Sequence, residues 1–167
     1  SEHGILASDD DNKITVSNEG HIITGGDDAS GIYHTGDTNT TTVSGTITTT
    51  GENSYGIHNK GDTNTTTMSG SIATGNVSSN SGRNSHGIFN EGSNNETTVS
   101  GSVKTTGDYG WGILNFGNSN TTTVSGSIET TGENSYGIYN YGNNNTSSIS
   151  GTVKATGTKS AALYNDY

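Results

Sequence analysis

A unit of about 25 residues repeats along the whole chain, and this repeat constrains the fold more than any other feature. Its copies open at Gly4, Gly31, Gly56, Gly87, Gly112, Gly137 and Ala162, and the last copy is shortened. The steps between them are 27, 25, 31, 25, 25 and 25 residues. Because one such copy cannot bury its own apolar face, a repeat of this length predicts stacked supersecondary units.

Each copy contains three short segments in which β-branched or apolar residues alternate with polar ones. Examples are residues 137–140 (Gly-Ile-Tyr-Asn), 121–125 (Thr-Thr-Thr-Val-Ser) and 127–130 (Ser-Ile-Glu-Thr). Such alternation indicates strands, and the intervening Gly, Asn and Ser residues are typical of turns. Three strands and three bends predict one rung of a three-sided parallel β-helix (β-solenoid). We therefore predict an all-β chain of about six rungs, folded as a single domain over residues 1–167.

The apolar residues fall into three columns, one for each side of the rung, and these columns are the predicted core. The first is Ile5, Ile32, Ile57, Ile88, Ile113, Ile138 and Leu163. The second is Val16, Val43, Met68, Val99, Val124 and Ile149. The third is Ile22, Ile47, Ile72, Val103, Ile128 and Val153. At about 4.8 Å per rung, six rungs predict a rod about 29 Å long.

Two columns of asparagine accompany the apolar ones. The first follows the first apolar column by two positions, so its amides are predicted to face inward and bond along the axis. It consists of Asn59, Asn90, Asn115, Asn140 and Asn165. The second lies at the bend before the second strand, and it is predicted to form turns because Asn tolerates left-handed backbone geometry. It consists of Asn12, Asn39, Asn64, Asn95, Asn120 and Asn145.

Three irregularities interrupt the repeat. The first copy carries two extra residues around positions 18–20, as terminal repeats of solenoids often depart from the consensus. The third copy contains a six-residue insertion around positions 76–81, which predicts a loop at one corner. The shortened seventh copy predicts that the chain is a segment of a longer protein, or that a partner completes its last coil.

Hydrophobic residues make up only 25% of the chain, a level usually typical of disorder. The repeat argues otherwise, because its few apolar residues recur in register and can build a thin continuous core. The net charge is −10, from 16 acidic and 6 basic residues, and the basic residues do not cluster. This balance argues against nucleic-acid binding. No apolar run is long enough to predict insertion into a membrane.

A flat array of small hydroxyl groups is predicted on the outer face of the second strands. Its threonines are Thr40, Thr42, Thr65, Thr67, Thr98, Thr121, Thr123 and Thr146. The array resembles the ice-binding faces of β-solenoid antifreeze proteins, whose Thr-x-Thr rows order water, so ice binding is an alternative function. Lys13 and Glu96 interrupt the array. Because threonine is also a good strand former, we favour the simpler interpretation that these threonines serve only to form the strands.

A line of aromatic residues is predicted on the outer side of the first strands and at the corner before them. The candidate binding residues are Tyr33, Phe89, Trp111, Phe116, Tyr139 and Tyr141. Exposed apolar patches tend to mark contact sites, which suggests a sugar-stacking groove or a docking surface. The alternative, which we favour, is that the rings stack on one another at the rung spacing and shield the backbone.

Catalytic and metal-binding signals are weak. The acidic clusters, residues 9–11 and 27–28, lie at predicted turns of the irregular first copy. These carboxylates could act as a pair that cleaves polysaccharides, or they could bind Ca²⁺ weakly through their oxygen atoms. Acidic residues that are simply solvated at turns are commoner. No pair of histidines has metal-ligand spacing. We therefore expect no enzyme activity, no cofactor and no metal site, with polysaccharide binding or cleavage as the less favoured alternative.

Residues 135–142 (Ser-Tyr-Gly-Ile-Tyr-Asn-Tyr-Gly) and 123–132 (Thr-Val-Ser-Gly-Ser-Ile-Glu-Thr-Thr-Gly) resemble the passenger repeats of bacterial autotransporter and related adhesin proteins. The resemblance spans all copies, and it implies a right-handed β-helix on the surface of a Gram-negative bacterium. It also implies a role in adhesion, aggregation or display. The expected partners are neighbouring repeats of a longer chain, other copies stacked end to end, or host and matrix glycans.

Overall fold

The computed structural model describes residues 2–75 and 84–166, which contain nineteen strands and no helix. A first sheet contains β1 (Ile5–Ala7), β4 (Ile32–His34), β7 (Ile57–Lys60), β10 (Ile88–Glu91), β13 (Ile113–Phe116), β16 (Tyr136–Tyr141) and β19 (Ala161–Asp166). A second contains β2 (Lys13–Val16), β5 (Thr40–Val43), β8 (Thr65–Met68), β11 (Glu96–Val99), β14 (Thr121–Val124) and β17 (Thr146–Ile149). A third contains β3 (His21–Thr24), β6 (Thr46–Thr49), β9 (Ser71–Thr74), β12 (Ser102–Thr105), β15 (Ser127–Thr130) and β18 (Thr152–Ala155).

Every strand pairs in parallel with its counterpart one copy away, so residues one repeat apart lie directly above one another. Ile88, for example, is in register with Ile57 on one side and Ile113 on the other. The predicted three-sided parallel β-solenoid of about six turns is confirmed, while its handedness stays a prediction. The insertion predicted at positions 76–81 lies outside the described residues. None of the described residues belongs to a helix that could cross a bilayer.

The three predicted apolar columns form the core. Val43, Val99 and Val124 are 0% exposed, and so are the isoleucines of the first sheet from Ile32 to Ile138. Half of the inward positions are nevertheless polar. The buried hydroxyls, which the sequence analysis did not identify, belong to Thr41, Thr66, Thr97 and Thr122 on the second sheet and to Thr24, Thr49, Thr74, Thr105 and Thr130 on the third. The core is therefore half aliphatic and half hydrogen-bonded.

The first asparagine column faces inward, as predicted, and forms a ladder of side-chain amides. Asn90 accepts a hydrogen bond from Asn59 Nδ2 and donates one to Asn115 Oδ1, each at 2.8 Å. Asn90 Nδ2 also donates to Thr97 Oγ1 at 3.0 Å, which joins the first sheet to the second. Because an amide carries both a donor and an acceptor, each amide inside the ladder bonds to those above and below it, whereas Asn59 Oδ1, at the lower end beside His34, accepts no hydrogen bond.

The prediction that the second asparagine column supplies the left-handed turn residues is wrong. Positive φ falls one position earlier, for example at Thr63 (61°) and Asn94 (58°). Asn95 is itself buried, and its Oδ1 accepts a hydrogen bond from the main-chain N–H of Asn64 at 2.8 Å. The cause is that a main-chain N–H at a bend needs an acceptor, and the side chain on the next rung supplies one.

The glycine that opens each inner copy is required by close packing between rungs. A Cβ atom on Gly112 would lie 2.5 Å from the carbonyl oxygen of Gly137 and closer still to the side chain of Ile128. The main chain of the next rung occupies the space in which a side chain would stand. The repeat therefore begins with glycine because the corner has no room for anything larger.

Replacing Asn90 with leucine should lower the free energy of unfolding by about 2–4 kcal/mol, because the change removes three hydrogen bonds from a buried ladder. Urea denaturation monitored by circular dichroism measures this quantity. The matched control is Asn143→Leu, since Asn143 is an exposed bend residue. Its effect should stay within about 0.5 kcal/mol. Equal losses for the two variants would contradict a stabilising role for the amide ladder.

Candidate functional site

The ring-bearing surface lies on the outer side of the first sheet and consists of two parallel columns. The strand column is formed by Leu6, Tyr33, His58, Phe89, Leu114, Tyr139 and Tyr164. The corner column, which precedes it by three residues on each rung, is formed by His3, Ser30, Tyr55, His86, Trp111, Tyr136 and Ala161. Main-chain hydrogen bonds keep the corner column in register, for example from Gly56 N–H to His86 O at 3.0 Å.

Rings on successive rungs stack face to face. His58 stacks on Phe89 with centroids 4.6 Å apart and 11° between the planes. In the corner column, His86 stacks on Trp111 at 4.5 Å and 2°, and on Tyr55 at 5.1 Å and 12°. The strand spacing of about 4.8 Å is close to the separation that stacked rings prefer, so the backbone itself sets up the stack. The favoured alternative, that the rings stack on one another, is confirmed.

Stacking limits what the six candidate binding residues present to solvent. Tyr33, Phe89, Trp111 and Tyr139 are half-buried among other rings, so their edges reach the surface more readily than their faces. Phe116 and Tyr141 form a separate exposed pair, with centroids 4.9 Å apart and planes 5° apart. A sugar stacks on the face of a ring, and inside these columns the faces are covered. A binding role for the six residues stays a prediction.

His86 is the most enclosed titratable group of the surface. Its Nδ1 accepts a hydrogen bond from the main-chain N–H of Trp111 at 3.1 Å, so this nitrogen carries no proton. Burial lowers the pKa of His86 to about 3, and the nearby His58 contributes to the lowering. The imidazole is therefore neutral at neutral pH. Its flat ring takes part in the stack, and its Nδ1 accepts a hydrogen bond from the main chain.

His58 and Tyr139 link the strand column to carboxylates beside it. His58 Nε2–H donates to Glu91 Oε2 at 3.1 Å, and burial lowers the pKa of His58 despite the opposing effect of this carboxylate. The Tyr139 hydroxyl donates to Asp166 Oδ2 at 3.1 Å, and burial together with Asp166 raises the pKa of Tyr139 to about 12. These contacts fix the orientations of the two rings, and Glu91 also lies 3.7 Å from the exposed Lys60 ammonium.

The threonine array is placed on the outer face of the second sheet, as its alternation predicted. Thr42, Thr67, Thr98 and Thr123 lie in register on four successive rungs. In the adjacent column the array is broken, because Glu96 pairs with Thr65 on one side and Thr121 on the other. The surface is therefore one unbroken row of hydroxyls beside one interrupted row. Its ability to bind ice stays a prediction.

The acidic clusters have a structural use that the sequence analysis did not identify. Asp10 Oδ1 accepts a hydrogen bond from the main-chain N–H of Asp37 at 2.8 Å, and Asp37 does the same for Asp62. At another corner Asp27 accepts from the N–H of Glu52 at 2.9 Å. Among residues 2–75 and 84–166, no group of three or more His, Asp or Glu side chains is placed to hold a metal ion.

The stability of the fold should fall as the pH drops below about 6.5, with a slope contribution from His86 of about 1.4 kcal/mol per pH unit. The sign follows from the lowered pKa of His86. Below about pH 6.5 the imidazole is protonated in the unfolded chain, whereas in the folded chain it stays neutral down to about pH 3, so acid favours unfolding. Urea denaturation at a series of pH values between 4 and 7 measures the slope. The stability of the variant His86→Phe should depend less steeply on pH.

The control for this measurement is His21→Phe, since His21 is exposed on the third sheet. This variant should keep the pH dependence of the unaltered chain. If His86→Phe and His21→Phe show the same slope, His86 is not held neutral by the stack.

Comparison of the chain with protein-family models, with curated proteins and with solved structures finds no match in any of the three. The likeness to autotransporter passenger repeats therefore stays a prediction from the residues quoted above. What can be said of function rests on the two outer surfaces, the stacked rings and the hydroxyl array, and on the rod that carries them.

Proposed function

We propose that the chain is a structural and adhesive segment of a bacterial cell-surface protein, a stiff extracellular rod whose outer faces make the contacts. The observation that carries this proposal is that the same contacts repeat from rung to rung. From Asn59 to Asn165 the buried amides bond to their own copies above and below, and on the outer side rings stack on the rings of adjacent rungs. Any number of further rungs extends such a rod without new chemistry, which suits a spacer or filament.

The charge of the chain supports a place outside the cell rather than on nucleic acid. A net charge of −10 with 6 scattered basic residues keeps the rod soluble and repels phosphate backbones. Glycans that carry no negative charge are compatible with these faces. The acids that repeat in register, such as Asp10, Asp37 and Asp62, lie at the bends, which leaves the hydroxyls and rings of the sheet faces as the contact groups.

We also propose that a further rung stacks on the end of the rod. This rung is supplied either by the same polypeptide or by another copy. Ile149 and Leu163 on the last rung of the chain are each 40% exposed, while their counterparts Val124 and Ile138 are 0% exposed. Strands β17 and β18 also have one free edge each. Stacking another rung would bury these side chains and pair these edges, and free edges favour such pairing.

Cells that display the chain through a surface anchor should aggregate and settle faster than cells that carry the anchor alone. The physical basis is end-to-end pairing of rods from neighbouring cells. In parallel, sedimentation of the purified chain should give a mass that rises with concentration. Ile149→Lys should reduce both effects, because it places a charge on the open end of the core.

The matched control is Ile23→Lys, because Ile23 is 76% exposed but lies on the outer side of the third sheet. It should leave settling and sedimentation unchanged. A purified chain that stays monomeric at all concentrations would contradict the stacking component. Failure of displayed cells to adhere to one another or to glycan-coated surfaces would contradict the adhesive role. Release of products from polysaccharides would support the enzyme alternative.

Ice binding is the second candidate function, and the unbroken row Thr42, Thr67, Thr98 and Thr123 favours it. Hydroxyls that repeat at the rung spacing along the rod, and at two residues across it, form a regular flat lattice. Such a lattice can hold water in an ordered layer. Glu96 and Lys13 limit the area of the lattice, which is why this function ranks second.

If this alternative holds, the chain should slow ice recrystallisation, and Thr98→Tyr should abolish the effect because a large ring disrupts the flat row. Thr48→Tyr is the control, since Thr48 faces outward on the third sheet and should be neutral. Crystal size in annealed frozen solution measures the activity. Absence of any activity in the unaltered chain rules this function out.

A further inference from the structure

Besides Ala161 at its end, the corner column lacks a ring at one inner position. Ser30 lies between His3 on the rung below and Tyr55 on the rung above, as the hydrogen bonds from Gly4 N–H to Ser30 O and from Gly31 N–H to Tyr55 O show. Tyr55 is covered on its other side by His86. The face of Tyr55 that points toward Ser30 has no ring partner among the described residues. The stack therefore contains a gap, which we call the Ser30 slot.

The Ser30 slot opens on the uncovered face of Tyr55. His3 and Tyr55 are two rungs apart, about 9.6 Å. Tyr33 also lines the slot and contacts His3, with centroids 4.6 Å apart and 49° between the planes, so a flat group would lie against the face of Tyr55. His3 is held in the lower wall by accepting the N–H of Ser30 on its Nδ1 at 3.0 Å, the same bond that His86 makes with Trp111. The cavity measures about 290 Å³, near the lower end of small-molecule sites.

The residues around the slot are His3, Asp28, Ser30, Tyr33, Asn53, Tyr55 and His58. Among them Asp28 carries the formal charge, and it stands exposed at the rim beside Asn53. Burial and the charges of Asp28 and Glu91 raise the pKa of Tyr55, and burial lowers the pKa values of His3 and His58. The face of Tyr55 therefore lies in the negative potential of Asp28 and Glu91, and such an environment favours a cation.

We propose that the Ser30 slot binds the guanidinium group of an arginine side chain from a partner polypeptide. A guanidinium is flat enough to replace the missing ring, it stacks on aromatic faces, and it pairs with a carboxylate such as that of Asp28. An ammonium matches the charge but not the shape, and a neutral planar group matches the shape but not the charge. The net charge of −10 also steers cations toward the rod.

This inference names a partner class for the adhesive surface, and its biological meaning rests on the function proposed above. Its chemistry is tested on the purified chain alone. If the chain binds arginine but does not mediate adhesion, the proposed function is contradicted and the arginine site is supported. If the chain mediates adhesion but does not bind arginine, the arginine site is contradicted and the proposed function is supported.

The test is a titration followed by nuclear magnetic resonance, with Nα-acetyl-arginine methylamide as the probe. Addition of the probe should shift the amide signals of Ser30 and Tyr55. The corresponding citrulline derivative is planar but uncharged, and the lysine derivative is charged but not planar. Each should bind about fivefold more weakly than arginine. Methyl glucoside, as a neutral sugar, should cause no shift at these positions.

Two substitutions locate the site. Ser30→Tyr puts the missing ring into the slot, so binding should fall at least tenfold while the fold keeps or gains stability. Asp28→Asn should remove most of the preference for arginine over citrulline. The control is Ala161→Tyr, which adds a ring to the same corner position on the last rung and should leave binding unchanged. Thermal unfolding of each variant verifies that it folds.

Three results would overturn the proposal. One is that arginine and citrulline bind equally well, which would remove the role of charge. Another is that Ser30→Tyr binds arginine as the unaltered chain does, which would place the site elsewhere. The third is that methyl glucoside shifts the Ser30 and Tyr55 signals while arginine does not, which would make the slot a sugar site.

Discussion

The separation of about 4.8 Å between parallel strands is the constraint on which the rest of this molecule depends. Each side chain lies between the equivalent side chains of the two adjacent copies. It must therefore make favourable contacts with a residue of the same type. Aliphatic groups satisfy this condition by packing, amides by donating to one neighbour while accepting from the other, and rings by stacking. Like charges satisfy it poorly. The composition of the chain, rich in Asn, Thr, Ser and Gly, follows from this requirement. The aspartates that do repeat in register, Asp10, Asp37 and Asp62, are exposed at a bend, where the first two each accept a main-chain hydrogen bond from the next rung.

The polar half of the core explains how a chain with 25% hydrophobic residues folds. Asn115 and Asn140, for example, continue the amide ladder at 2.7 Å, and Asn115 also donates to Thr122 at 3.0 Å. A buried amide without partners would cost free energy, whereas a ladder satisfies each member except at its ends. Apolar burial and hydrogen bonding therefore reinforce the same register. A slip of one residue along a strand would break both at once.

The same spacing between strands also determines how side chains are arranged on the outer faces. The stacked rings cover one another's faces and so stabilise the rod, while the ring stack of the corner column is interrupted at the inner position Ser30. At Ser30 the regular spacing leaves a slot with aromatic walls, and the acid beside it selects what can enter. A departure from an otherwise strict repeat is thus more informative about contacts than the repeat itself.

The sequence alone determined the period, the three apolar columns, the inward Asn59–Asn165 column and the outward threonines and rings, because alternation and register are local properties repeated in every copy. It did not determine the role of the Asn95 column, the use of Asp10 and Asp27 as acceptors at the bends, the neutral state of His86 or the slot at Ser30. Only the tertiary structure decided these features. Each depends on which atoms of residues some 25–34 positions away come within bonding or stacking distance, and the geometry of the bends sets that distance.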